Sequence, residues 1–535
     1  MECGSTTDLY PTQRRALELD QAAVRLARQR GRLDVDIGET LLVLCDGDRL
    51  LQLGYSRQVD YARERMGVSA RSLALWLRLA RALATRPLLK RAVVSGVVSS
   101  RKALAVVPLA VGAGERPWTT AAMNATVVEL EAAARSAGVD SLGDSFQTDN
   151  LMLRMTPAQQ DRLDAAIALA QETFGLGAPR WRCMEAICQE WLGAFGAWAP
   201  EVEERGAVRN DDAGPILRER PPFEPVELEE FEPIRDDSAH GLDERLQRLL
   251  RARRSFDERF GRLALRIVEG RFWSTLGYRS LEEYSRERLG MAARSLRERV
   301  WLERRMCALP ALREALSSGR LTYSKALLVA KDATSEDVDA RVEEASDTTW
   351  QQLDRESTAR EDRRNRAAGV RRIWGPKDAA RVVLDAISSA LALATADGEH
   401  IETGEALARV ADHFVEVWTL HRLGPRMTRN RREVLLRHGG LCAVPGCSRP
   451  AQHEHHIHLR SRGGSDETAN RVAVCAAHHL HGIHRGFLTV TGRAGELLVW
   501  NLGTGAAEAP LETWITEGED DVRRPRREEA LHATG

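Results

Sequence analysis

No uninterrupted apolar run in this sequence reaches the roughly 18 residues that a membrane span needs, so no membrane partner is expected. The opening residues, MECGSTTDLYPTQRRALELD, hold no apolar h-region. That argues against a secretory leader and for a cytoplasmic protein, in which disulfides are disfavoured. An excess of charge is also missing. Lys and Arg number 77 against 78 Asp and Glu, for a net charge of −1, so any nucleic-acid surface must be local. Lysine is scarce, and nearly all the positive residues are Arg. Such a bias suits a GC-rich genome, and it makes a single Arg weak evidence of function. Five of the eight cysteines, Cys3, Cys45, Cys183, Cys188 and Cys307, are scattered among apolar or helical neighbours and read as inert thiols.

What the chain does have is length, repetition and histidine. Its 535 residues exceed a single core, so several domains are expected. The stretch from Leu53, LGYSRQVDYARERMGVSARSL, returns from Leu276 as LGYRSLEEYSRERLGMAARSL. Gly54 matches Gly277, Gly67 matches Gly290, Pro87 matches Pro310 and Gly96 matches Gly319, an offset of 223 without a gap. Residues of about 25–195 and 248–418 are therefore expected to share one helical fold. Apolar positions recur every three or four residues in both copies. Gly67 and Gly290 punctuate them as turns; Ser69 suits an N-cap, and Ala292 in its place is a weaker one. Helix, glycine turn, helix is a helix-turn-helix pattern, and it resembles the helical segment of ParB-type DNA-partition proteins. An ordinary helical hairpin with a solvated Arg face fits equally well.

These features divide the chain into a first helical module (1–199), an acidic Pro-rich linker (200–247), a second helical module (248–420), a small C-terminal module (421–500) and a flexible tail (501–535). The linker should be cleaved early by proteases.

In the C-terminal module, Cys442 and Cys447 flank a Pro-Gly turn, and Cys475 and His478 are separated by two residues. This is the paired-ligand layout of a structural zinc site, and thiolates with imidazole suit zinc better than magnesium. Seven more histidines surround it: His453, His455, His456, His458, His479, His481 and His484. Period-two alternation puts His456 and His458 on one strand face and His453 and His455 on the other. Neighbouring His455 and His456 can then do two jobs at a scissile phosphate, one holding an ion and the other deprotonating water. Arg429, Arg431, Arg432, Arg460 and Arg462 are candidates for DNA phosphate contacts.

The run HHIHLRSRGGSDETANRVAVCAAHH, with a final His, closely resembles the HNH endonucleases over residues of about 430–495. The resemblance implies a ββα-metal fold after the helical modules and hydrolysis of DNA phosphodiesters with a divalent metal, Mg²⁺ or Mn²⁺, beside a structural Zn²⁺. It implies His456 as general base, with Asn470 steadying the loop and orienting that base. His455, His479 and His484 follow as ligands of the catalytic metal, and Cys442, Cys447, Cys475 and His478 as ligands of the zinc. One feature departs from the family. Its last His stands four residues after the previous ligand, and His484 stands five after His479. On a regular helix that displaces His484 from the shared face. Gly482 is then expected to end the helix and let the chain swing His484 back. His481 points away, and His453 and His458 read as exposed strand residues. DNA is the expected partner, and a homodimer is left open. The alternative is a DNA-binding protein that does not cut, with helix-turn-helix modules and a zinc module.

Overall fold

The computed structural model describes residues 11–137, 148–174, 178–196, 234, 236–420, 428–504, 509–517 and 525–527. Most of the chain is helical, and a small strand-containing module follows at the C-terminal end.

Two long helices, Pro11–Leu44 and Ala239–Glu269, form the spine. Leu33, Ile37, Leu41 and Leu44 near the end of the first share a core with Leu242, Leu246 and Leu249 near the start of the second. Ala23 and Val24 near the start of the first share another core with Phe260, Ala264 and Ile267 near the end of the second. The two helices therefore run antiparallel, and each belongs to both cores. Polar anchors follow the same crossing. Tyr61 Oη donates to Asp243 at 2.7 Å, and Arg65 pairs with Asp243 at 2.7 Å. Tyr284 Oη donates to Asp20 at 3.1 Å, and Arg288 pairs with Asp20 at 2.6 Å. Both aspartates are 1% exposed, so their charges depend on these partners. Midway along, Arg253 pairs with Asp34, which also accepts from Trp76 Nε1 at 2.8 Å.

Helical segments flank Gly67 and Gly290 at both places. Gln58–Glu64 and Ala70–Leu83 flank Gly67, and Ser69 accepts from Ser72 N at 3.2 Å. In the second segment Ala292 precedes the Ala293–Ala308 helix without a side-chain cap, because alanine has no acceptor to offer.

Two strands lie within the mainly helical part, where none was singled out. β1 (Thr148–Arg154) pairs antiparallel with β2 (Val370–Pro376), whose burial alternates residue by residue. They pack on four helices, Pro157–Phe174, Arg180–Phe195, Lys377–Ala396 and Thr403–Leu420, around Leu163, Ile187, Ile387 and Phe414. Among the described residues one helix, Lys377–Ala396, is long and apolar enough to cross a membrane, and here it contributes to this bundle core.

Two boundaries differ from expectation. The Ala239–Glu269 helix begins inside the stretch assigned to the linker, because Ser238 caps it by accepting from Gly241 N at 3.1 Å. Residues 200–233 of that linker lie outside the described residues. The expected flexible tail does not hold over residues 509–517. β7 (Glu512–Glu517) pairs with β6 (Leu497–Leu502), which pairs with β5 (Leu488–Gly492). The alternation in ETWITE buries Trp514 against Trp500, and Glu512 accepts from Tyr55 Oη at 3.0 Å.

Candidate metal centre

Cys442 and Cys447 sit on a knuckle that follows the Arg429–Leu436 helix, while Cys475 lies just after β4 (Arg471–Val474). His478 belongs to a helical turn, Ala477–Ile483. The four side chains are buried, and their ligand atoms all lie within 4.8 Å of one another. His478 Nδ1 stands 3.4 Å from Cys442 Sγ. A tetrahedral zinc with ordinary bond lengths puts such a sulfur and nitrogen about 3.5 Å apart. The electrostatics of the cluster point the same way. Burial, with the neighbouring thiols, pushes Cys442 well above the usual thiol range, whereas hydrogen bonds from Cys442 and Cys447 hold Cys475 low. Burial opposes ionising such close thiols together, and a cation between them would offset that cost. The cluster thus fits a metal ion with structural-zinc chemistry.

A second group of donors lies on the other side of the same helical turn. His455 on β3 (His453–His456), His479 and His484 bring their ring nitrogens within 4.8 Å of one another. Antiparallel pairing of β3 with β4 fixes the strand, and His455 is its buried member. Burial, then the neighbouring His479, His484 and His456, holds His455 down to about 4. Burial likewise lowers His479, helped by His484 and His453. At neutral pH the two are neutral imidazoles with lone pairs to offer.

Five-residue spacing works here for a reason other than the one expected. The Ala477–Ile483 segment is a π-helix, and His484 N donates to His479 O at 3.3 Å across five residues. The wider turn returns His484 above His479, with Nε2 to Nε2 at 3.3 Å. Gly482 does not end the helix. It is buried in the turn, where a Cβ would lie 2.8 Å from Leu488 Cδ2. His481 faces outward, as expected.

His456 points away from the trio. Its Nε2 lies 2.9 Å from Asp466 Oδ1, and Asp466 also pairs with Arg460 at 3.0 Å. The His456 contact holds the Asp466 carboxyl below its ordinary range. A carboxylate can only accept, so Nε2 carries the proton and Nδ1 is left as the basic atom. Asn470 steadies the loop as expected. It accepts from His458 N at 2.8 Å and donates to His458 O at 3.0 Å and Ser465 O at 2.8 Å. Among the described residues it makes no hydrogen bond to His456; Asp466 occupies that position. The loop closes tightly because Gly464 has no Cβ, which would fall 1.8 Å from His458 O.

His453 is also more than an exposed strand residue. Its Nδ1 lies 2.9 Å from His479 Nδ1, where it can fix that ring and leave Nε2 facing His484. The strand ends at His456, so His458 is an exposed loop residue and no longer shares a strand face with it. Arg429, Arg431 and Arg462 are exposed, whereas Arg432 is engaged with Glu172 at 2.9 Å. Two of these contacts were hidden in the sequence. Asp466 and His453 meet their partners through loop and helix placement, and spacing alone does not report it. Comparison of the chain with protein-family models, curated proteins and solved structures finds no match.

Proposed function

We propose that the C-terminal module is a metal-dependent endonuclease of the HNH type that hydrolyses DNA phosphodiester bonds. The observation that carries this reading is the pairing of a three-imidazole donor set, His455, His479 and His484, with a separately oriented histidine one residue along the strand, His456. A structural protein needs neither the second donor set nor a histidine held in one tautomer. His455, His479 and His484 would hold a divalent ion, which would supply charge stabilisation at the scissile phosphate and the leaving oxygen. His456 Nδ1 takes a proton from water as its oxygen bonds to phosphorus and the P–O bond to the leaving group breaks. Asp466 accepts from Nε2–H throughout and stabilises the imidazolium that results. Arg429, Arg431, Arg460 and Arg462 are exposed, which lets them meet phosphates.

We also read the two helical halves as copies of one module. Support comes from contacts that recur at the sequence offset: Tyr61 and Arg65 on Asp243, against Tyr284 and Arg288 on Asp20. A protein that binds DNA without cutting it is favoured by one feature. Arg25, Arg259, Arg262 and Arg266 are exposed around an open groove of about 560 Å³ between the two long helices. Supercoiled plasmid separates the two readings. A nuclease converts it to nicked or linear DNA with Mg²⁺ or Mn²⁺ and not in EDTA; a binder retards it and leaves it intact.

A further inference from the structure

The four-ligand cluster is not closed by its own module. His478 Nε2 lies 3.2 Å from the carbonyl oxygen of Gly54, far away in the helical half. That carbonyl can only accept, so it holds the proton on Nε2 and turns the Nδ1 lone pair towards the three sulfurs. Ser56 Oγ lies 3.5 Å from Cys447 Sγ and 4.0 Å from Cys475 Sγ. Three thiolates, one neutral imidazole and a divalent ion leave one net negative charge in a buried site, which calls for outer hydrogen-bond donors. Two donors are in place: the His478 backbone N–H, 3.4 Å from Cys475 Sγ, and the Ser56 hydroxyl.

The same corner is bolted to the knuckle from several directions. Arg449 donates to Ser56 O at 3.0 Å, Ser448 N donates to Asp60 at 3.0 Å, and Arg57 donates to Ser448 Oγ at 3.0 Å. At the matching place in the second half the corner reads Gly277, Tyr278, Arg279. The glycine and tyrosine recur, but Arg279 replaces the serine, and Gly277 and Arg279 are exposed where Gly54 is buried. Arg279 carries no hydroxyl at the position that matches Ser56.

We propose that Gly54 and Ser56 of the first helical half are positioning residues of the Cys442–Cys447–Cys475–His478 metal centre, so that metal affinity in the C-terminal module is set partly by the helical half. The proposal rests on the cluster being a metal centre, and the first step of the test examines that separately. Full-length protein is stripped of metal and titrated with zinc against a chromophoric chelator, then with cobalt(II) to read the thiolate absorption. Wild type that takes up no metal at this cluster overturns the metal-centre reading itself. Given uptake, Ser56→Ala is expected to bind zinc about tenfold or more weakly, within the range for loss of an outer-shell partner, and to shift the cobalt–thiolate band. Ser56→Thr keeps the hydroxyl and should restore both. Arg57→Ala removes a docking contact without touching a ligand and should leave both near wild type. Equal affinity in Ser56→Ala and wild type, or equal losses in Ser56→Ala and Arg57→Ala, would overturn the proposal.

Discussion

At the scale of single residues, the site divides its histidines by what each ring nitrogen meets. His455, His479 and His484 face one another, His478 faces sulfur, and His456 faces a carboxylate. The last contact gives the sharpest test of orientation. Asp466→Asn replaces an acceptor that favours the imidazolium with a neutral amide, and plasmid cleavage should slow by roughly tenfold or more while zinc content stays constant. His458→Ala should retain most activity, because the contacts it makes to Asn470 are through its backbone. Most of the donor set could be read in the sequence, since Cys and His at paired-ligand spacing have few other uses. Asp466 could not be. It lies in SDE, a stretch that reads as a solvated loop, and its role arises only when Gly463 and Gly464 fold that loop back towards β3.

At the scale of elements, the decisive feature is the π-turn at Ala477–Ile483. An α-helical reading places His484 off the ligand face, and the helix widens instead. Gly482→Ala sets a methyl against Leu488 in a filled space. It should cost about 1–3 kcal/mol in denaturant unfolding and weaken metal binding by the trio more than at the cysteine cluster. A second element shows a pH signature. Glu64 accepts from Trp350 N at 2.7 Å and Gln351 N at 3.0 Å and so caps the Trp350–Ala367 helix. Burial raises this carboxyl from 4.5 to about 7, against the opposing pull of Lys325 and the two N–H groups. The folded state thus holds a proton that the unfolded chain has released. Between pH of about 4.5 and 7 stability should fall as pH rises, then level off, and Glu64→Gln should flatten that slope in urea titrations. Helices and their caps were legible because periodicity and Ser69 are local signals. The β1–β2 pair was not, because its partners are more than two hundred residues apart and its alternation is only seven residues long.

For the whole molecule, the interlocked spine means that several of the cores are built from both helical halves. Asp243→Ala leaves Tyr61 and Arg65 without their buried acceptor and should cost about 3 kcal/mol of stability, since Arg65 still reaches Glu512 at 3.3 Å. Its counterpart Asp20→Ala should act similarly through Tyr284 and Arg288, and calorimetry of both variants checks the pair. The C-terminal strands and the cysteine knuckle contact the first helical half through Gly54, Tyr55, Ser56 and Arg65. The most direct measurement of the central claim is the plasmid cleavage rate of His456→Ala in Mg²⁺ or Mn²⁺, taken with its zinc content and DNA affinity. Loss of about 10²–10⁴-fold in rate, with zinc and DNA binding retained, is the predicted result. Cleavage at the wild-type rate would contradict the assignment of the base, and no cleavage by wild type with either metal would contradict the nuclease reading.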